Sequence, residues 1–145
     1  MRSRPLTKRD YDEIVGVIDH WWEGPTTALA HPMFFYELGR LARVVESDEG
    51  KLVGFLLGFV ADGSRVGYVH LVGIHPEWRR KGVARLLYRT FEADCRAEGC
   101  TGLKAISTLG NEGSVLFHEA LGWAVREAGD YAGPGRARVV FEKAF

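Results

Sequence analysis

The sequence predicts an α+β fold, a mixed and mainly antiparallel sheet flanked by helices. Three observations predict it. Short apolar stretches fill the middle of the chain, separated by tight polar turns at Ser47-Asp48-Glu49-Gly50 and Asp62-Gly63-Ser64; this is the pattern of hairpin-linked strands. After Gly82 the period lengthens to that of a helix, with Val83, Leu86, Leu87, Thr90, Phe91 and Cys95 on one face. Strand-like segments on both sides of that helix make one βαβ unit, for which a right-handed crossover is expected.

The elements follow in order. A short strand is expected over Ser3 to Leu6. Thr7 then has the character of a helix N-cap, with Asp10 at the third helical position in place of the usual glutamate of a capping box. Tyr11, Ile14, Val15 and Ile18 continue at helical spacing, predicting a helix from Lys8 to Trp21. Glu23 to Pro32, with its glycine and prolines, reads as a loop leading to a second, aromatic-rich helix over Met33 to Leu41. Strands follow at Ala42 to Glu46, Lys51 to Val60 and Val66 to Ile74. The second of these is nearly all apolar, as in a strand buried on both faces. The long helix runs from Gly82 to near Gly99 and a strand covers Thr101 to Ser107. A short helix from Ser114 to Ala120 is stopped by Gly122, and strands at Trp123 to Glu127 and Arg138 to Phe141 close the chain. No repeat, low-complexity tract or linker interrupts this order, so residues 1–145 read as one domain.

Lysine plus arginine equals aspartate plus glutamate at 19 each. Zero net charge argues against a nucleic-acid or membrane partner bound through broad electrostatics, so any anion site is local. Cys95 and Cys100 lack metal or redox spacing and read as reduced, buried thiols. The five histidines and two cysteines are scattered, with no metal constellation. The charged N-terminus has no signal-peptide core, and no apolar run approaches the roughly 20 residues of a membrane span. A cytoplasmic protein is expected.

The stretch that carries chemistry is Val72-Gly73-Ile74-His75-Pro76-Glu77-Trp78-Arg79-Arg80-Lys81-Gly82-Val83-Ala84. A strand ends, a basic loop follows and a helix begins. The first turn of a helix has backbone N–H groups without helical partners, and its dipole favours an anion there. Gly82 permits close approach to the backbone, and Arg79, Arg80 and Lys81 add local positive charge. A solvated basic turn before an ordinary helix would have the same composition.

Arg79-Arg80-Lys81-Gly82-Val83-Ala84 resembles the Gln/Arg-x-x-Gly-x-Gly/Ala signature of the GCN5-related N-acetyltransferases (GNAT). Ile74-His75-Pro76 is similar to the turn that precedes this loop in the family. Asn111, Phe117-His118 and Leu121-Gly122-Trp123 resemble its second motif, Asn followed by Phe-Tyr and Leu-Gly-Phe. The likeness extends over the whole chain and is densest from Tyr68 to Trp123.

The resemblance implies the GNAT fold and acetyl-CoA as cosubstrate, with no metal. It implies that the backbone of Val72, Gly73 and Ile74 pairs with the pantetheine arm as if it were an added strand. The arm would enter where the fourth and fifth strands splay apart, and an N–H near Ile74 would polarise the thioester carbonyl. The loop of Arg79, Arg80, Lys81, Gly82, Val83 and Ala84 would hold the pyrophosphate through the N–H groups from Arg80 onward. Asn111 would bind the arm or orient the acceptor, and Phe117 would line the cofactor site.

The acceptor amine must lose a proton before it attacks, which suits a base with a pKa near neutrality. The resemblance places the base on the strand before the loop, where Tyr68 and His70 lie two apart on one face. His70 leads because its unperturbed pKa is about 6.5, although a histidine there can also simply pack or hydrogen-bond within the sheet. The family's leaving-group acid is the tyrosine of Phe-Tyr, and this chain has His118 instead. His118, a tyrosine from elsewhere such as Tyr131, or a water would have to serve.

The acceptor pocket is expected around Asp19-His20-Trp21-Trp22-Glu23 and Phe34-Phe35-Tyr36, with core packing the ordinary fate of most of these aromatics. The reading is an N-acetyltransferase acting on a small-molecule amine. The alternatives are a peptide or protein acceptor, or an acyl-CoA-binding module without catalysis. A homodimer through the last strands is a further expectation from the resemblance. A doubly wound nucleotide-binding fold is excluded by the hairpin-linked strands and the absence of its glycine pattern, and a hydrolase triad by the lack of a nucleophile elbow.

Overall fold

The sheet is built first from β3 (Leu52–Val60), whose residues Leu52 to Gly58 are all buried. In this computed structural model, which describes residues Met1 to Phe145, β3 sits near the middle of a seven-stranded sheet. The other strands are β1 (Arg2–Pro5), β2 (Arg43–Glu46), β4 (Val66–Ile74), β5 (Gly102–Ser107), β6 (Ala124–Ala128) and β7 (Arg138–Ala144). Their spatial order is β1-β2-β3-β4-β5-β7-β6. Only β4 and β5 run parallel; every other neighbouring pair is antiparallel. The parallel pair is the one joined through the long helix, α3 (Val83–Ala97), as the βαβ reading requires.

Each face of the sheet has its own core. On one side α3 buries Val83, Leu87, Tyr88, Phe91 and Cys95 against Val45, Val53, Leu56, Val69, Leu103, Ala105 and Phe141. Glycines let this helix lie close. A Cβ at Gly67 would fall 2.3 Å from the Cys95 sulfur, and one at Gly58 would fall 2.8 Å from the Phe91 ring. Complete burial of a ring such as Phe91 stabilises the fold by about 1.5–3 kcal/mol. On the other side α1 (Lys8–Trp22) packs Tyr11, Ile14, Ile18 and Trp21 against Val44, Leu52, Phe55, Leu57 and Leu71.

The start of α1 is built as its sequence predicts. Thr7 Oγ1 accepts the Asp10 N–H, and the Asp10 carboxylate accepts the Thr7 N–H at 2.8 Å. Asp10 is buried, which by itself would raise its pKa. The Arg4 guanidinium, at 2.7 and 3.0 Å, and the Thr7 donors outweigh that cost and hold the carboxyl below its ordinary value.

The expected helix over Met33 to Leu41 is not continuous. α2 is a single turn, Met33–Tyr36, followed by a separate 3₁₀ turn at Gly39–Leu41. The chain tightens because Gly39 packs on the backbone of Phe34; a Cβ there would lie 2.9 Å from the Phe34 carbonyl oxygen. The last helix, α4 (Glu112–Ala120), begins two residues earlier than expected because Asn111 caps it, its side-chain oxygen accepting the Ser114 N–H at 3.1 Å. β7 continues three residues past Phe141, to Ala144, opposite Gly102 of β5. No helix is long and apolar enough to cross a membrane.

Candidate active site

The site begins with a break in β4. Leu57 pairs with Leu71 but Gly58 pairs with Val69, so His70 is the extra residue of a β-bulge. The bulge changes the facing of the strand. Val69 lies in the α3-side core and Leu71 in the α1-side core, and His70 joins Leu71 on the α1 side, its ring stacked on Phe34 at 3.8 Å. Tyr68 meets Phe59, which also touches Phe34, so Tyr68 and His70 share a face as their spacing predicts.

Pairing between β4 and β5 stops at Val69 and Ala105, although β4 continues to Ile74 and β5 to Ser107. The two strands therefore part. A cleft of about 200 Å³ opens between them, lined by His70 and Val72 of β4, Ile106 of β5, Tyr88 of α3, and Asn111 and His118 at α4, with Trp22 on the α1 side. Backbone polarity follows from the ladder. The His75 N–H donates to the Val53 carbonyl, and antiparallel alternation then turns Gly73 toward β3 as well. Val72 and Ile74 are left with their N–H and C=O groups on the edge facing the gap. Gly73 has a packing duty instead, since a Cβ there would fall 2.3 Å from the Phe55 ring.

A second cleft, of about 340 Å³, continues past Ile74 to the start of α3. Trp78, Arg79, Arg80, Gly82, Val83, Ala84, Arg85 and Phe117 line it. Arg80 and Gly82 both have positive φ, 62° and 83°. This turns the loop so that the N–H groups of the first helical turn, without helical acceptors, open onto the cleft. Val83 contributes only its backbone, because its side chain is in the core. Arg79 donates to the Trp21 carbonyl at 2.6 Å and fastens the loop to the end of α1, and Lys81 lies 5.3 Å over the Trp78 ring. These features fit a pyrophosphate: backbone donors, a helix start and the cations of Arg80, Lys81 and Arg85.

His70 Nε2 lies 2.8 Å from the Leu29 carbonyl oxygen. A carbonyl only accepts, so Nε2 carries the proton and Nδ1 is the ring's acceptor. Burial lowers the His70 pKa, with the Leu29 bond opposing in part, so the ring is neutral at neutral pH.

His118 is buried at 4% exposure and stacks on Phe141 at 3.9 Å. Its Nδ1 lies 2.7 Å from the Ser114 carbonyl oxygen and its Nε2 lies 2.9 Å from the Tyr88 hydroxyl. By the same logic Nδ1 donates to Ser114 and Nε2 accepts from Tyr88. Burial lowers the His118 pKa and raises that of Tyr88. His118 thus has no free N–H for the cleft, and the hydroxyl beside it belongs to Tyr88. Tyr88 is the site residue that sequence reasoning missed. The signal was present: Tyr88 follows Leu87 on the buried face of α3, where a hydroxyl must find a partner.

Tyr131 is exposed on the loop between β6 and β7 and lies under the Lys104 ammonium at 5.0 Å. Of the expected acceptor-pocket residues, Trp21 packs on Phe55 and Phe35 on Tyr11, both away from the cleft. Trp22 lines the cleft and Phe34 stacks on the His70 ring. Asp19 is occupied by the loop after α1, accepting from the Thr26 N–H at 2.7 Å.

Comparison with known proteins agrees with this geometry. Residues 9–123 match the model of the Acetyltransferase (GNAT) family. Acetyltransferase YE1169 of Yersinia enterocolitica is 26% identical over 133 residues, spanning 88% of this chain and 90% of that relative. The solved structure of Ard1 from Thermoplasma volcanium superposes with a TM-score of 0.79 at 18% identity, over 99% of this chain and 96% of that one. That of an aminoglycoside 6′-N-acetyltransferase complexed with coenzyme A gives 0.77 at 14% identity, over 99% and 97%. At such identities the structural likeness carries the fold, and the family match carries the chemistry. The loop before α3, the parted strands and the matched sequence agree: the chain belongs to the GNAT acetyltransferase family and is an acetyl-CoA-dependent enzyme.

Proposed function

We propose that the enzyme acetylates the primary amine of a small molecule by direct attack, with His70 as the general base. The observation that carries this reading is the His70 tautomer: Nε2–H is tied to Leu29, and the free Nδ1 lone pair belongs to a ring lining the cleft where β4 and β5 part. Acetyl-CoA, when bound, supplies an activated acetyl thioester. The N–H groups from Arg80 to Ala84 hold its pyrophosphate, the free edge of Val72 and Ile74 holds its arm, and Phe117 lines its path.

His70 removes the ammonium proton of the acceptor, directly or through one water. Asn111 orients the acceptor or the arm; its side-chain oxygen is committed to Ser114, which leaves its amide N–H groups for this task. Tyr88 is the donor to the leaving sulfur: its one O–H turns from His118 Nε2 to the thiolate, and the second proton of the attacking nitrogen returns to the phenolate. His118 holds its hydroxyl in place and is a positioning residue. A small acceptor is favoured by the cover over His70: Phe34 lies flat on its ring and the Leu29 carbonyl closes on Nε2.

The test is free-thiol release from acetyl-CoA with a panel of amines, amino acids, polyamines and short peptides against a no-amine control. Release with small amines and not with peptides is the expected result. Release with peptides alone would overturn the small-molecule reading.

A further inference from the structure

Two cations, Lys104 and Arg138, stand on the acceptor side of the sheet in a chain of zero net charge. α1 and α2 cover only the half of the sheet formed by β2, β3 and β4. Beyond them, Leu103 and Ala105 of β5 and Val139 and Phe141 of β7 belong to the α3-side core. The alternation of a strand therefore sends Lys104, Arg138 and Glu142 to the acceptor side, the side of Tyr68 and His70. Lys104 stands opposite Tyr68 in the parallel pairing, one step before the strands part. Arg138 stands beside Val139, which pairs with Ser107 at the mouth of the cleft.

Of the carboxylates on this side, Glu142 is the one in an ion pair. Glu142, opposite Lys104, is bonded to Arg126 at 3.0 Å. Asp130 accepts the Gly135 N–H at 2.7 Å, and Asp19 is held by Thr26. Glu23 is exposed at the C-cap of α1, and Glu37 is exposed at the end of α2. Neither Lys104 nor Arg138 has a carboxylate within ion-pair distance. The Lys104 ammonium rests on the Tyr131 ring, which holds it on this face without neutralising it.

We infer that the acceptor is an amine bearing a carboxylate, of the amino-acid class, with its carboxylate held by Lys104 and Arg138 while its amine meets His70. This rests on the proposed transferase function and narrows it. A partly desolvated carboxylate gains charge-assisted hydrogen bonds from these cations. A polyamine or an aminoglycoside meets the same two cations with like charge.

The experiment compares kcat/KM for free amino acids and for the same amino acids as carboxamides, together with spermidine and kanamycin, after acetyl-CoA binding has been measured by calorimetry. Removing the carboxylate makes the amine a weaker base, so unassisted chemistry favours the amide. The expected result is at least a tenfold preference for the free acid, the size of one charge-assisted hydrogen bond. Lys104→Glu should abolish that preference, and Arg138→Met should reduce it severalfold. Equal use of acid and amide, faster turnover of spermidine or kanamycin, or no turnover of any carboxylate-bearing amine would overturn the inference. If other amines turn over, the transferase reading stands without it. Failure to bind acetyl-CoA would overturn both.

Discussion

The proposed cofactor side and the proposed acceptor side of the parted strands are made in opposite ways. The cofactor side is nearly contiguous in sequence, running from Val72 to Arg85, and its donors are mainly backbone N–H groups fixed by the positive φ of Arg80 and Gly82. The acceptor side collects Trp22, Leu29, Phe34, Tyr68, His70 and Lys104 from five separate segments, and all but the Leu29 carbonyl act through side chains. A backbone cradle suits a ligand that a family shares. A side-chain pocket can change its occupant by substitution while the sheet stays the same.

The comparison can be broken at its most demanding point first. Replacing His70 by Ala should lower kcat/KM about a hundredfold at neutral pH, the lower range for loss of a general base. Burial depresses the His70 pKa, so the wild-type ring stays neutral and active down to a pH below the ordinary histidine value. The acid limb of the kcat/KM profile should therefore lie below about 6.5. The defect of His70→Ala should shrink as pH rises and the amine deprotonates unaided. A pH-independent profile for both enzymes would remove His70 as the base.

Tyr88→Phe tests the junction of the two sides. It removes the hydroxyl and leaves the His118 acceptor buried and unpartnered, and should cost about thirtyfold in kcat, the scale of a hydrogen bond to a charged group. The affinity for acetyl-CoA should hardly change. A parallel loss of acetyl-CoA affinity, measured by calorimetry, would assign Tyr88 to cofactor packing.

The smallest effect sharpens the contrast from the cofactor side. Gly82 has φ of 83° with open space where a Cβ would stand, so it is required for backbone conformation and not for room. Gly82→Val should weaken acetyl-CoA binding about tenfold, from the cost of about 1–2 kcal/mol for a left-handed conformation. Acceptor preference should be untouched. A change in acceptor preference would mean that the two sides are not independent.

Much of the fold was legible because its signals are local. The turns at Ser47 to Gly50 and Asp62 to Ser64, the Thr7 cap and the stripe of α3 each lie within a few residues, and each corresponds to an element of the structure. The second helix was overextended because the close packing of Gly39 on the Phe34 backbone is a contact that propensity does not record. The residues around the cleft were legible on the cofactor side for the same reason of contiguity. Tyr88 was not, because its role depends on His118, 30 residues away.

By itself the sequence determined the α+β class, the basic glycine-containing loop before α3, and the resemblance that names the family. These rest on spacing within one strand, one loop and one helix turn. Only the tertiary structure decided that Gly73 makes room for Phe55, that a bulge at His70 sends Leu71 to the α1 side and Val72 and Ile74 to the α3 side, and that both His118 nitrogens are already bonded. It also decided that Lys104 and Arg138 share the acceptor face without ion-pair partners. Such facts depend on register, bulges and packing between distant segments, where a shift of one residue reverses which face a side chain takes.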